Sequence, residues 1–254
     1  MNATIQKRAK GEMRGGHKDR ARNREASNPA VSAALHHVEK ISIRRLQLPE
    51  LPEDTIRLAR FLIGKVVVHD LPSVRLSGRI VETEAYPPGD PAGHHYRGPT
   101  VRNRSLFLRH GHCYVYFTYG NHFMFNVSSE GPEVGGGVLI RALEPLEGVA
   151  AMQRHRKTTK LLDLTRGPGR LAAALRIDRR FDGLDLCSSG ALWLGTLDSS
   201  VAHPAPPVGK TVRIGITRAT SKQFRFYERG NPYVSGPRRL LSSDRQKDEK
   251  NSQF

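Results

Sequence analysis

The sequence predicts one domain of mixed α/β (α+β) structure with a tail at each end. Its 254 residues fit a single domain of ordinary size, and a hydrophobic fraction of 37% is enough to build a core. Helix and strand patterns both occur between residues 45 and 240, whereas residues 1–44 and 241–254 are polar. Because such segments cannot offset their ordering entropy by burial, we expect a flexible basic arm at 1–44, a folded domain at 45–240 and a disordered tail at 241–254.

The first elements of the domain are marked by their end signals. Capping residues at 52–55 and an apolar helical pattern up to Leu62 predict a helix that Gly64 ends. A strand at 65–69 follows, and a turn leads from it into a second strand at 78–86.

This second strand carries two acids and an aromatic ring. Side chains alternate along a strand, so Ile80, Glu82, Glu84 and Tyr86 are expected on one face. The face is either the solvated side of an edge strand or one wall of a site, since Glu is rarely buried without a partner. Histidines, arginines and aromatic residues follow closely in the chain and favour a site.

A hairpin at 114–126 is the most informative local feature. Tyr114 and Tyr116 fall on one face of its first strand, and Gly120 with Asn121 suits a tight turn. Tyr119 lies at the tip, where little core is available. In a basic protein this ring is a candidate wedge that enters a base stack, or alternatively it folds back over its own hairpin.

The later elements follow from apolar runs and glycine turns. The run at 135–142 predicts a buried strand that ends near Arg141, and a helix is expected to begin in 145–152. Alternating apolar patterns predict strands at 191–194, 212–217 and 224–227.

Gly167, Pro168 and Gly169 predict a turn that leads into another helix. Exposed amides at such a helix N-terminus suit a phosphate group, and Arg166 and Arg170 stand beside them.

Charge and cysteine usage restrict the class of protein. A net charge of +17 favours a polyanionic partner, most simply nucleic acid, with an acidic membrane second. Cys113 and Cys187 have no metal-type spacing, which argues against a disulfide framework or a zinc ribbon. No apolar run approaches the roughly 18 residues that a membrane helix needs, and we expect no signal peptide.

Several motifs in a fixed order resemble the alkyladenine (3-methyladenine) DNA glycosylase family. They are residues 81–86, 102–103, 114–120, 126, 141–148, 167–169 and 225–235. The resemblance runs from about residue 46 to 239. It implies a single domain around a curved, mostly antiparallel sheet with surrounding helices and a protruding hairpin, and a base-flipping enzyme without metal or cofactor.

The resemblance also implies residue roles. Glu84 matches the general base, and Arg141 matches an arginine that helps to position the attacking water, aided by a backbone carbonyl near Val234. A carboxylate suits this task, because it can stabilise a cation-like sugar and take a proton from water. Tyr119 matches the intercalating tyrosine.

The base pocket is assigned in the same way. Tyr86, His94 and Tyr116 match its walls, and Asn126 matches its floor. A flipped base needs such aromatic faces and hydrogen-bonding groups. His94 is chosen over His95 because it keeps the family's spacing from Asp90. The DNA backbone contacts are assigned to Arg102, Arg166 and Arg170.

The predicted function is that of a monofunctional DNA-3-methyladenine glycosylase, an N-glycosyl hydrolase of base excision repair. Its substrates would be alkylated or deaminated purines in damaged double-stranded DNA, which the sequence does not rank. No lysine occupies the motif positions, so a Schiff-base lyase step is not indicated. We expect a monomer without a membrane partner, cytoplasmic and nucleoid-associated if bacterial, nuclear if eukaryotic.

Two other classes of protein are compatible with parts of the pattern. One is a metalloenzyme, because five histidines lie within a short span at positions 94, 95, 110, 112 and 122. These histidines lack the acid–histidine spacing of a known helical metal site. The other is a non-catalytic nucleic-acid-binding module, which the charge and the tyrosines equally allow. Release of free base from alkylated DNA distinguishes it from an enzyme.

Overall fold

One antiparallel sheet forms the centre of the fold. The computed structural model describes residues 41–118, 120–188, 190–198 and 207–237, and within them nine strands join in a single sheet. The strands are β1 Ile43–Arg45, β2 Val66–Leu71, β3 Val74–Tyr86, β4 Cys113–Thr118, β5 His122–Ser128, β6 Gly137–Glu147, β7 Leu192–Leu197, β8 Val208–Thr211 and β9 Arg225–Glu228. The main path is β1-β7-β2-β3-β6-β5-β4, while β9 pairs with both β3 and β8.

The described residues also contain three α-helices, α1 Thr55–Phe61, α2 Val149–Arg156 and α3 Pro168–Leu175. Asp54 caps α1, because its carboxylate accepts a hydrogen bond from the Arg57 amide at 2.8 Å. The apolar sides of the helices enter the main core, where Leu58 of α1 and Leu171 of α3 are fully buried. Each such burial contributes about 1.5–3 kcal/mol. The predicted mixed fold around an antiparallel sheet is therefore confirmed.

Strand β3 lies inside the sheet. Strand β6 pairs with it on one side, from Ser77 to Tyr86. On the other side, β2 pairs with the first half of β3 and β9 pairs with Glu82, Thr83 and Glu84. The acids therefore do not lie on an edge strand, and the alternative of a solvated edge is wrong.

A β-bulge in β3 changes the predicted alternation. Ile80 pairs with Leu143 and Glu82 pairs with Ala142, so Val81 is the extra residue between them. The bulge places Ile80 in the main core, whereas Glu82 lies on the opposite face of the sheet. The prediction that Ile80 shares a face with the two acids is wrong for this reason.

A second bulge lies opposite, in β6. Glu82 pairs with Ala142 and Thr83 pairs with Ile140, which leaves Arg141 as the extra residue. Ile140 belongs to the main core, while the Arg141 guanidinium lies on the face that carries the acids. The two bulges together bring a guanidinium beside two carboxylates.

Two element predictions need correction. The helix expected from Pro145 onward begins only at Val149, because β6 continues to Glu147 in its pairing with β3. Gly148, with φ of 74°, makes the change from strand to helix. The strand expected at 212–217 is a loop, since the strand lies earlier, at Val208–Thr211, and Gly215 has φ of 76°.

The hairpin and the helix after the Gly-Pro-Gly turn were predicted correctly. Strands β4 and β5 pair from Cys113 with Val127 to Thr118 with His122, and α3 begins at Pro168. Tyr119, residues 1–40 and residues 238–254, which include the tail expected at 241–254, lie outside the described residues. Strand β1 begins at Ile43, within the segment that the sequence assigned to the arm.

Candidate active site

The Glu84 carboxylate lies at the centre of a hydrogen-bonded cluster. It is fully buried on β3, and its Oε1 accepts from the Ile214 amide at 2.7 Å. Its Oε2 accepts from the Tyr86 hydroxyl at 2.9 Å and lies 3.1 Å from Nη1 of Arg141. These donors hold both carboxylate oxygens in place.

Arg141 joins Glu84 to its neighbour Glu82. The Arg141 Nε donates to Oε1 of Glu82 at 3.0 Å while Nη1 contacts Glu84. Burial opposes the charge on Arg141, but the carboxylates of Glu84 and Glu82 outweigh it and raise the pKa of the guanidinium. The arginine is therefore a fixed positive charge beside Glu84.

A cavity of about 580 Å³ opens next to this cluster. Five residues that the sequence assigned to the site line it, namely Tyr86, His94, Tyr116, Asn126 and Arg141. Its volume falls in the usual range for sites that bind small molecules. The structure thus brings the predicted pocket residues together, with Glu84 in contact with two of them.

Aromatic rings form one wall of the cavity. The rings of His94 and Tyr116 lie 4.4 Å apart, and those of Tyr114 and Tyr116 lie 5.4 Å apart. His94 Nδ1 and the Tyr114 hydroxyl form a hydrogen bond of 2.9 Å. Burial lowers the pKa of His94, and the positive charge of Arg102 lowers it further. The imidazole is therefore neutral at pH 7 and places no positive charge against a bound ring.

His94 and His95 have different surroundings. The buried ring of His95 contacts the Pro87 carbonyl through Nε2 at 2.9 Å. The His94 carbonyl accepts a hydrogen bond from Nδ2 of Asn103 at 2.8 Å, which fixes the loop that carries His94. The imidazole of His94, not that of His95, contacts the aromatic wall.

Asn126 lies on β5 at the cavity, between Tyr114 of β4 and Leu139 of β6. Its Nδ2 donates to the Tyr114 carbonyl at 3.1 Å and lies 3.4 Å from the Met124 carbonyl. Since both neighbours are acceptors, the amide nitrogen must face the backbone, and the amide oxygen faces away from it.

The loop at 212–218 was not expected at the site. Ile214, Gly215 and Thr217 line the cavity, and the Ile214 amide is the donor to Glu84. The apolar pattern of this segment is typical of a strand, so the sequence does not indicate that the segment is a loop at the cavity. Its one sequence signal is Arg213, a charge within an apolar run.

The structure adds two further residues to the cluster. Arg225 of β9 and Glu82 are fully buried and paired at 2.6 Å. The sequence predicts that Glu82 shares a wall with Glu84, but it assigns neither Glu82 nor Arg225 a role in the site. The available signal was the presence of two acids on one strand, because buried carboxylates require cationic partners.

The three arginines assigned to DNA backbone contacts have different surroundings. The Arg102 guanidinium lies 6.0 Å from the Tyr116 ring centre, and Nη2 is 3.4 Å from the Phe117 carbonyl. Arg170 pairs with Asp163 at 2.7 Å on the surface. Arg166 immediately precedes the Gly167 N-cap of α3, and Pro168 lines the cavity. The described geometry thus brings α3 to the cavity wall.

The histidines do not form a metal centre in the part of the chain that the structure describes. No group of three His, Cys, Asp or Glu side chains there is arranged to hold a metal ion. His110 faces Glu53 at 3.9 Å, and His112 contacts the Arg109 carbonyl. Neither of these two contacts involves His94 or the aromatic wall.

A carboxylate held beside a guanidinium, next to a cavity with an aromatic wall, is suited to hold a flat ring and to assist cleavage of the bond that joins this ring to another group. In a strongly basic chain with the predicted fold, this combination indicates the class of DNA glycosylases, which act on a base outside the helix stack. The particular family is shown by comparison. The family model described as methylpurine-DNA glycosylase (MPG) matches residues 50–232, and the chain belongs to that family.

Relatives of known name agree with the family. A protein of Mesorhizobium japonicum is 60% identical over 191 residues, which cover 75% of this chain and 90% of the relative. One of Paraburkholderia phytofirmans is 50% identical over 206 residues, with 78% and 95% covered. Both bear the name "Putative 3-methyladenine DNA glycosylase". Among the described residues, no helix has the length and hydropathy to span a bilayer.

Proposed function

We propose that the chain is a monofunctional DNA-3-methyladenine glycosylase that removes alkylated and deaminated purines from damaged double-stranded DNA. The substrate class comprises 3-methyladenine, 7-methylguanine, hypoxanthine and ethenoadenine. The enzyme works as a monomer in base excision repair, and as a relative of bacterial proteins it acts on the nucleoid in the cytoplasm. The names of its relatives and the cavity support this proposal.

The observation that carries the proposal is the fixed contact of Glu84 with Arg141 and Tyr86, both of which line the cavity. The flipped base lies against Tyr86, His94 and Tyr116, and the bond between its nitrogen and C1′ of the sugar breaks. The electron pair of this bond leaves with the base. A cation-like sugar results, which the Glu84 carboxylate stabilises.

Water completes the reaction. Its oxygen bonds to C1′ while Glu84 accepts a proton from it, and Arg141 holds the water and the carboxylate in their relative positions. Tyr86 contributes twice, because its hydroxyl donates to Glu84 and its ring lines the cavity. Burial and the adjacent Glu84 raise the pKa of Tyr86, so the hydroxyl stays protonated as a donor.

The test is the substitution Glu84→Gln, which keeps the shape of the side chain but removes its basicity. We expect binding to lesion DNA to persist and the single-turnover rate of base release to fall by at least about 100- to 1,000-fold. Glu53→Gln is the matched control, because the Glu53 side chain is 70% exposed. Wild-type protein that binds lesion DNA but releases no free base is a binding module instead. If Glu84→Gln released the free nucleobase at nearly the wild-type rate, the general base would have to be another residue.

A further inference from the structure

Behind Arg141, the Glu82 carboxylate binds three N–H groups at once. Its Oε1 accepts from Arg225 Nε at 2.6 Å and from Arg141 Nε at 3.0 Å. Its Oε2 accepts from the Ser235 amide at 2.6 Å. Glu82 and Arg225 are both fully buried, so none of these bonds competes with water. Charge-assisted bonds in such an environment are short and directional.

These contacts fix the direction of the Arg141 guanidinium. The guanidinium is planar, so anchoring Nε to Glu82 determines where Nη1 and Nη2 point. Nη2 lies 3.4 Å from the Ser235 hydroxyl, and Nη1 lies 3.1 Å from Oε2 of Glu84. Without the bond to Glu82, the side chain can rotate away from Glu84.

The same carboxylate also fixes a peptide group at 234–235. The Ser235 N–H and the Val234 carbonyl belong to one planar unit and point in opposite directions. Glu82 therefore orients the Val234 carbonyl when it accepts from Ser235. Arg225 holds the next carbonyl, because its Nη2 donates to the Ser235 oxygen at 2.6 Å. Glu82 and Arg225 thus secure both Arg141 and the segment packed beside it.

The charges of the group balance. Two carboxylates, Glu82 and Glu84, face two guanidiniums, Arg141 and Arg225, with no net charge. Replacing one carboxylate by an amide leaves a buried positive charge without its partner, which is unfavourable. A single substitution in this buried group is therefore more unfavourable than the same substitution in a surface ion pair.

We propose that Glu82 and Arg225 are positioning residues for the glycosylase reaction, which act by holding Arg141 and the 234–235 peptide in place beside Glu84. This inference rests on the proposed function. It predicts that variants of these residues have a lower rate of the chemical step but bind the base normally, because neither Glu82 nor Arg225 lines the cavity.

The test compares Glu82→Gln and Arg225→Lys with Glu228→Gln. The amide introduced by Glu82→Gln can offer its oxygen to the two arginines only by turning its NH₂ toward the Ser235 N–H. The lysine introduced by Arg225→Lys keeps the charge but cannot reach both Glu82 and the Ser235 carbonyl. Glu228 is the control because it lies on β9 like Arg225 and pairs with Arg79, away from Arg141.

We expect the maximal single-turnover rate to fall about 100-fold in both variants, as a misplacement near 1 Å can cause. The enzyme concentration at half-maximal rate and the binding of a stable abasic-site analogue should stay at wild-type values. Near-ultraviolet circular dichroism checks the fold. If Glu82→Gln does not fold, the single-turnover rate of Arg225→Lys alone tests the positioning role.

The failure of this inference is distinct from that of the proposed function. Wild-type protein that releases no base refutes the proposed function. Active wild-type protein, with both variants as fast as Glu228→Gln, refutes the positioning role. A parallel loss of lesion binding and rate in folded variants also refutes it, because a general structural defect affects both.

Discussion

The ion pair of Arg213 and Asp90 joins three segments that surround the cavity. Both side chains are almost fully buried, and Arg213 Nη2 donates to Oδ1 of Asp90 at 3.2 Å, with Nη1 bound to Oδ2. Nη1 also donates to the Ala85 carbonyl at 2.9 Å, and the guanidinium lies 4.6 Å from the Tyr86 ring centre. The pair therefore ties the end of β3 to the loop of His94 and to the loop at 212–218.

We predict that Asp90→Asn is strongly destabilising. Removing one charge of a buried pair costs about 3–5 kcal/mol, because the remaining guanidinium is left without a counter-charge. Asparagine keeps an acceptor oxygen for the Ala92 amide, which Asp90 binds at 2.9 Å, so we expect about 3 kcal/mol. For a domain of this size, that loss lowers Tm by about 6–12 °C. Asp163→Asn is the control, since the side chains of its pair with Arg170 are 45% and 43% exposed, and such pairs contribute about 0–1 kcal/mol.

The assay is urea unfolding followed by the fluorescence of Trp193, the single tryptophan, which is 4% exposed. Equal m-values for wild type and variant show that the free energies of unfolding can be compared. The rate of base release is measured at urea concentrations below the unfolding transition. We expect this rate to be lower in Asp90→Asn, because the Ile214 amide no longer holds Glu84. An Asp90→Asn variant that loses no more stability than Asp163→Asn would refute the reasoning, since the pair would then be open to water.

Two further predictions concern recognition of DNA. Tyr119→Ala should weaken binding to lesion DNA by roughly 1–3 kcal/mol if the ring fills the gap left by a flipped base, and a fluorescent reporter base measures the flipping; equal flipping by wild type and variant would remove the wedge role. Asn126→Ser should increase release of normal guanine with little loss toward hypoxanthine, because a smaller side chain leaves space for the 2-amino group. Single-turnover release from paired duplexes gives the guanine-to-hypoxanthine ratio, and an unchanged ratio in a folded variant would make Asn126 structural.

The elements that the sequence predicts well depend on local signals. The turn residues Gly120 and Asn121 specify the hairpin, and the alternation on its first strand places Tyr114 and Tyr116 on one face, with their rings 5.4 Å apart. The cap of α1 and the start of α3 depend on neighbours within one helical turn. Such features need no knowledge of distant residues.

The parts that the sequence does not predict depend on distant pairing. The loop at 212–218 has an apolar sequence like that of a strand, and the contact of Arg213 with Asp90, 123 residues earlier, shows why it is a wall of the cavity. The partnership of Glu82 with Arg225 spans 143 residues. Local pattern cannot specify these contacts, because they are created when separate strands pair.

The two bulges show how local pattern and site geometry differ. A regular β3 would place Ile80, Glu82, Glu84 and Tyr86 on one face, but the bulge puts both Val81 and Glu82 on the cavity side.

The bulge in β6 does the same for Arg141 and Ala142. In each strand the apolar member, Val81 or Ala142, packs with Tyr227 and Val234 in a small cluster separate from the main core. The charged members, Glu82 and Arg141, then meet each other at 3.0 Å. Neither bulge is marked by a glycine, so their positions follow from the need to bury both the apolar cluster and the ion pairs on one side of the sheet. The irregular pairing of β3 with β6 is thus the structural condition for a guanidinium beside Glu84.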